Sequence, residues 1–187
     1  PALLPNGDGI VVAAYAGDLD GNLWKFDFSS VDSGDWDVEK LFTAKVGSVV
    51  QPITATPTLG RNKRKENATM VYFGTGSYLY EVDNTTSIAT QTFYAIADVG
   101  TALTRADLHQ KTIQLNDGKR TVANDKVDWE DGVNNDGWYL DLPTLGERAV
   151  AKPLLVYDRV IFTTQSATIS IPAMGSAVPA DERTWNP

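Results

Sequence analysis

Apolar and polar positions along this chain cluster in short runs separated by turn residues, and a sustained helical period is weak. Residues 11–15, Val-Val-Ala-Ala-Tyr, form an apolar run, and residues 17–22 are rich in Gly, Asp and Asn, which tolerate positive φ. Leu23, Trp24 and Phe26 then alternate with charged Lys25 and Asp27, so residues 15–27 predict a β-hairpin. The design returns at residues 70–83, Met-Val-Tyr-Phe-Gly-Thr-Gly-Ser-Tyr-Leu-Tyr-Glu-Val-Asp. Val71 and Tyr72 lie over Ala14 and Tyr15, Gly74 over Gly17, Leu79 and Tyr80 over Leu23 and Trp24, and Asp83 over Asp27. A second hairpin is predicted there, one residue shorter in its turn. Self-similarity of this kind is the mark of a repeat architecture.

Taken in order, a first unit runs over about residues 8–50, with a polar turn at 29–37 and a short strand at 38–44. A second, about 51–108, opens with the extended Gln-Pro-Ile-Thr-Ala-Thr-Pro at 51–57. It continues through a loop at 60–68, the second hairpin and a strand at 92–97. The best helical candidate, 102–108, is short. Residues 109–147 break the rhythm and read as an insertion. It holds an Asp-Gly hairpin over 112–122, an acidic stretch at 124–137 and an apolar segment at 138–143. A third unit, about 148–187, begins with a hairpin turning at Asp158 and Arg159 and loses the pattern after Gln165. Units of this size built from short strands predict an all-β fold, a β-propeller with an insertion in the second blade. A closed ring takes typically 4 to 8 blades, and about three are represented across residues 1–187, which form one propeller segment of a larger ring.

The net charge of −8 argues against a nucleic-acid or anionic-membrane binder. The one dense basic run, residues 61–65, sits between predicted strands and reads first as a solvated loop, with a partner patch as the alternative. Absence of cysteine excludes disulfides and thiolate chemistry, and a single histidine, His109, rules out a histidine-based metal cluster. No apolar run reaches the roughly 18–20 residues that span a bilayer, and residues 1–5 lack the basic start of a signal peptide. Asp18, Asp20 and Asn22 alternate around Gly21 like an EF-hand-type loop, but Asp, Gly and Asn are also the standard turn residues, so an ordinary turn is the first reading and a metal loop the alternative. The carboxylates between Asp125 and Asp136 lack alternating ligand spacing, so a solvated acidic loop is the first reading. No phosphate loop and no distinctive nucleophile or paired-carboxylate context is present, so a catalytic role is not expected.

Seven stretches, in order, resemble the PilY/PilC-type proteins of bacterial type IV pili. They are Tyr-Ala-Gly-Asp-Leu-Asp-Gly-Asn-Leu-Trp-Lys-Phe-Asp at 15–27, Gln-Pro-Ile-Thr-Ala-Thr-Pro at 51–57, Val-Tyr-Phe-Gly-Thr-Gly at 71–76 and Gln-Thr-Phe-Tyr-Ala-Ile at 91–96. Gly-Trp-Tyr-Leu-Asp-Leu at 137–142, Gly-Glu-Arg at 146–148 and Arg-Val-Ile-Phe-Thr-Thr at 159–164 complete the series. The match covers roughly residues 10–164 and stops after Thr164. The resemblance implies the C-terminal β-propeller of a large exported protein at the bacterial surface, pilus tip or outer membrane. Such proteins support pilus assembly, oppose retraction, serve twitching motility and act as tip adhesins. It implies pilin and minor-pilin partners and a host-surface contact.

The resemblance also implies a calcium loop just before the signature, with oxygen ligands at alternate positions. Those positions fall on Leu4, Asn6, Asp8, Ile10 and Val12. Asn6 and Asp8 match, Ile10 could offer its carbonyl, and Leu4 and Val12 carry no side-chain oxygen. Two rivals share the hairpin pattern. One is a fragment of a quinoprotein-type dehydrogenase propeller, and the other a carbohydrate-binding propeller module stacking sugars on tryptophans.

Overall fold

The computed structural model describes residues 1–84, 89–117, 119–123, 125–129, 133–157, 159–166 and 183–184. Its first sheet holds β1 (Ala2–Pro5), β2 (Val11–Gly17), β3 (Asn22–Asp27) and β4 (Asp37–Thr43), antiparallel throughout and in sequence order. The signature hairpin forms as its residues predict, as β2 and β3. Gly21 turns it at φ +75°, where a Cβ would lie 2.7 Å from the Ala44 carbonyl oxygen, so neither the backbone nor the space admits a side chain. The small hairpin of β5 (Lys45–Val46) and β6 (Val49–Val50) leads on to Gln51.

The second sheet draws on β7 (Thr58–Asn62), β8 (Ala68–Gly74), β9 (Thr92–Asp98), β10 (His109–Lys111) and β13 (Gly137–Asp141). Its order is β10-β13-β9-β8-β7, with β10 parallel to β13 and every other pair antiparallel. Between β10 and β13 the predicted Asp-Gly hairpin forms as β11 (Ile113–Asn116) and β12 (Lys119–Val122), a sheet of its own. Gly118 of its turn lies outside the described residues. The insertion expected over 109–147 is narrowed at both ends, because His109–Lys111 and Gly137–Asp141 are strands of the second sheet, the latter flanking β9.

Three local expectations are corrected. Residues 79–83 do not return as a strand: Leu79, Tyr80 and Val82 are exposed, and Glu81–Asp83 is a 3-10 turn. The partner of β8 is β9, which offers Phe93, Tyr94 and Ile96 for complete burial. Residues 102–108 supply only the 3-10 turn Arg105–Asp107. The 60–68 loop starts later than predicted, because β7 extends to Asn62.

With β9 in place of residues 79–83, the repeat becomes closer than the sequence shows. Gly17 faces Leu23 and Asn22 faces Thr43 in the first sheet; Gly74 faces Phe93 and Thr92 faces Asp141 in the second. Asp18 N–H donates to the Asn22 carbonyl at 3.0 Å, as Thr75 does to Thr92 at 3.0 Å. Ala44 N–H donates to Gly21 and Leu142 to Gln91. The chain entering the following unit also docks alike, through Ile53 N–H on Asp18 and Ala149 N–H on Thr75. A Cβ on Gly17 would fall 2.2 Å from Ile53, and one on Gly74 would fall 2.3 Å from the Ala149 carbonyl oxygen. Glycine at this position lets each unit approach the next.

Stacking follows from two-sided burial. Along β9, Tyr94 and Ile96 face a core shared with Tyr15, Leu23 and Phe42 of the first sheet. Phe93 faces the other way, towards Leu140, Ala149 and Phe162, and Ala95 and Ala97 pack with Met70 on that side. Period-2 alternation puts these two sets on opposite faces of one strand. The Phe93 and Phe162 rings stack with centroids 4.0 Å apart. Beyond them the third unit contributes β14 (Glu147–Arg148), the predicted hairpin of β15 (Leu154–Val156) and β16 (Arg159–Ile161), then β17 (Thr163–Ser166) and β18 (Arg183–Thr184). Strand β17 pairs with both β14 and β18. Asp158 of the hairpin turn lies outside the described residues, as does most of the chain after Ser166. The sheets are open and stacked, as a partial propeller requires. No helix among the described residues is long and apolar enough to cross a membrane.

Candidate functional site

The expected calcium loop forms the connection between β1 and β2. Asn6, Asp8 and Ile10 are all exposed there. The Asn6 side-chain oxygen accepts the N–H groups of Asp8 at 2.9 Å and Ile10 at 3.0 Å. The Ile10 carbonyl in turn accepts Asn6 N–H at 2.8 Å. Two of the three expected ligand oxygens therefore already hold the turn closed, and Asp8 is the one carboxylate among them. Calcium takes six to eight oxygens, so these residues do not by themselves make a cage.

The alternative set, Asp18, Asp20 and Asn22, closes the signature hairpin. The Asp18 carboxylate accepts Asn22 N–H at 2.8 Å, the Asn22 side-chain amide at 3.0 Å and the Trp24 indole N–H at 2.8 Å. Desolvation acts to raise its pKa, but the bonds from Trp24 and Asn22 outweigh it and hold the carboxyl below its ordinary value. Asp20 is exposed at the tip. No group of three or more His, Cys, Asp or Glu side chains converges for a metal among the described residues.

The acidic stretch is tied down by cations. Asp125 meets His109 Nε2 at 2.8 Å, and its carbonyl accepts Lys111 Nζ at 2.6 Å. Asp136 pairs with Lys65 at 2.8 Å. Glu130 and Asp131 lie outside the described residues. The tryptophans divide by role: Trp24 bonds Asp18, Trp36 packs edge-on to Phe28, and Trp138 stacks on Phe93. Trp185 lies outside the described residues.

Two polar clusters that the sequence did not reveal sit inside the stack. At the start of β9, Gln51 donates to Thr92 Oγ1 at 2.8 Å and accepts the Tyr94 hydroxyl at 2.7 Å. Thr92 donates to Asp141 at 2.6 Å, and Arg105 grips Asp141 with two bonds, at 2.7 and 2.9 Å, while lying over the Tyr139 ring. Burial pushes the Tyr94 hydroxyl up to about 12, so it stays a neutral donor. Between second sheet and third unit, buried Glu147 accepts Arg120 at 2.5 Å and Thr164 at 2.6 Å. Desolvation would raise the Glu147 pKa, and the bonds from Arg120 and Thr164 more than reverse it. Arg148, fully buried, reaches the Asp83 carbonyl and lies over the Tyr78 ring. The only advance signal for these groups was their place in matched motifs, Asp141 within 137–142 and Glu147 with Arg148 within 146–148.

The first cluster ties the second unit together and the second fixes the third unit against it, and comparison with known proteins agrees with that architecture. The PilY1 β-propeller domain model matches residues 1–126. The chain belongs to the PilY1 β-propeller domain family. The all-β stack is accordingly part of a β-propeller. A type IV pilus biogenesis factor PilY1 homolog of Xylella fastidiosa is 36% identical over 172 residues, covering 84% of this chain and 13% of that protein. The type IV pilus biogenesis factor PilY1 of Pseudomonas aeruginosa is 32% identical over 187 residues, covering 75% of this chain and 16% of that protein. The chain thus spans only a small part of the length of these PilY1 relatives. No solved structure matches it at a significant level. The PilY1 family match takes in every strand from β1 to β12.

Proposed function

We propose that this chain is a non-enzymatic interaction platform within a type IV pilus biogenesis factor at the bacterial surface. Its partners in this reading are pilin and minor pilins, and a host surface during tip adhesion. The supporting observation is family membership through residues 1–126, which carry the first sheet and all of the second except β13, and whose relatives are named as pilus biogenesis factors. Close glycine contacts between successive units and the Arg120–Glu147 cluster beside the third unit suit a rigid scaffold. The test is a swap. With the matched segment of the Pseudomonas aeruginosa factor replaced by this chain, surface pili are expected to form, whereas deletion of the segment is expected to abolish them. Normal piliation by the deleted protein would overturn the reading.

Calcium tuning belongs to this proposal as its weakest contact. Asn6 and Asp8 keep the family spacing, but Asn6 already serves the turn, so binding depends on Asp8 and backbone carbonyls. A ligand of the native state raises its stability by mass action. Millimolar calcium is therefore expected to raise the melting midpoint slightly, magnesium not at all, and Asp8→Ala is expected to remove the rise. A rise that survives Asp8→Ala would move the site elsewhere.

A further inference from the structure

A cleft of about 910 Å³ opens between the second sheet and the third unit. Its apolar wall includes four rings, Tyr72, Trp129, Trp138 and Phe162. Its rim carries five cations, Arg61, Lys63, Arg64, Lys111 and Arg120. No Asp or Glu is among the described residues that line it, in a chain of net charge −8. Lys111 is already engaged by Asp125 and Arg120 by Glu147, while Lys65, next along the rim loop, is held by Asp136. Arg61, near the end of β7, and Lys63 and Arg64, on the turn that leads to β8, are exposed and make no ion pair among the described residues. The one amide in the lining, Asn62, spends its side-chain oxygen on Arg64 N–H at 3.0 Å.

The geometry points to a recognition site for an acidic peptide segment that carries an aromatic or large aliphatic side chain. The described lining is rich in charged donors and carries no carboxylate. A carboxylate only accepts, so it is satisfied by arginine and lysine alone, whereas sugar hydroxyls both donate and accept and meet no carboxylate among the described lining residues. The rings take the apolar side chain, where an aromatic face adds to simple burial, and the rim cations take the flanking carboxylates. The volume lies within the range of about 300–1,000 Å³ usual for ligand clefts, enough for a few residues. The basic run at 61–65 is therefore a partner patch rather than only a solvated loop. This inference deepens the platform reading and rests on it by supplying the chemistry of one contact.

The experiment titrates the full chain at low salt with the blocked peptide acetyl-Asp-Phe-Glu-Leu-Asp-amide, read by calorimetry and tryptophan fluorescence. Saturable binding is expected, with a fluorescence change and clear weakening as salt rises. The triple variant Arg61→Gln, Lys63→Gln, Arg64→Gln changes only exposed side chains, so it is expected to fold normally and bind roughly tenfold more weakly. The same peptide with Asn and Gln in place of its acids is expected to bind as weakly as that variant binds the parent peptide. No saturation at millimolar peptide, or equal affinity in the triple variant, would overturn the site. A neutral glucose oligomer that alters the same fluorescence where the peptide does not would assign the cleft to carbohydrate and equally overturn it. Either failure leaves the pilus-swap result untouched, so the two readings fail separately.

Discussion

At the scale of single residues, the informative carboxylates are those that the fold has already satisfied. Asp18 reads as a metal ligand from its spacing, yet it spends itself on three donors of its own hairpin. Replacing it with Ala leaves the Trp24 indole and the Asn22 amide without their acceptor, a loss of about 1–3 kcal/mol. Asp18→Ala is therefore expected to lower the thermal midpoint while leaving any calcium-dependent rise intact, and a lost calcium response would return Asp18 to the role of ligand. Glu147 gives the acid response. Its folded pKa lies below the ordinary glutamate value of 4.5, so its contribution is fully present above about that pH and fades as pH falls through the folded value. Stability is expected to drop on acidification below that point. Glu147→Gln is expected to be less stable at neutral pH, because it breaks a buried pair with Arg120, but to show a shallower acid dependence. An unchanged acid profile in the variant would show that other carboxylates, Asp18 among them, govern it.

At the scale of elements, the choice of partner for β8 shows which energy wins. Residues 75–84 carry alternating apolar side chains and lie next in sequence, so local pattern favours them. Waiting for β9 lengthens the connection about fourfold, which costs roughly 1 kcal/mol of loop-closure entropy. Burying Phe93, Tyr94 and Ile96 contributes about 1.5–3 kcal/mol for each side chain, so the distant strand wins easily. Blade-to-blade contact is equally decided by elements. Gly74→Ala places a Cβ 2.3 Å from the Ala149 carbonyl oxygen, which neither backbone can yield without shifting. Destabilisation of at least about 1–3 kcal/mol is expected, a fall of several degrees in the midpoint. A melt indistinguishable from the unaltered chain would mean that the third unit does not dock as described.

At the scale of the whole molecule, function resides in surfaces that stacked units hold in place. The second sheet is covered on both faces, by the first sheet on one side and the third unit on the other. That leaves edges, turns and the aromatic cleft as the surfaces that the proposed platform offers to partners. Among the described residues the buried ionisable groups are spent on one another, Arg105 on Asp141 within the second unit and Arg120 on Glu147 beside the third. Rigid presentation of contacts fits a pilus factor, and the swap and peptide experiments test separate parts of it.

The sequence by itself determined whatever depends on neighbours along the chain. The signature hairpin was legible because Gly21 and Asp18 make its turn from local chemistry, and the Asp-Gly hairpin at 113–122 and the β15–β16 pair were legible for the same reason. The all-β class and the repeat followed from those turns and from Gly74 lying over Gly17. Tertiary structure alone decided what depends on distant burial. It set β9 beside β8, turned residues 79–83 out to solvent and brought Gly137–Asp141 into the sheet. It also joined Arg105 to Asp141 and Arg120 to Glu147, and it enclosed the cleft from strands of two units. Turn preference is a property of a few adjacent residues. Which strand covers a core, and which charges meet across a junction, are properties of the packed whole.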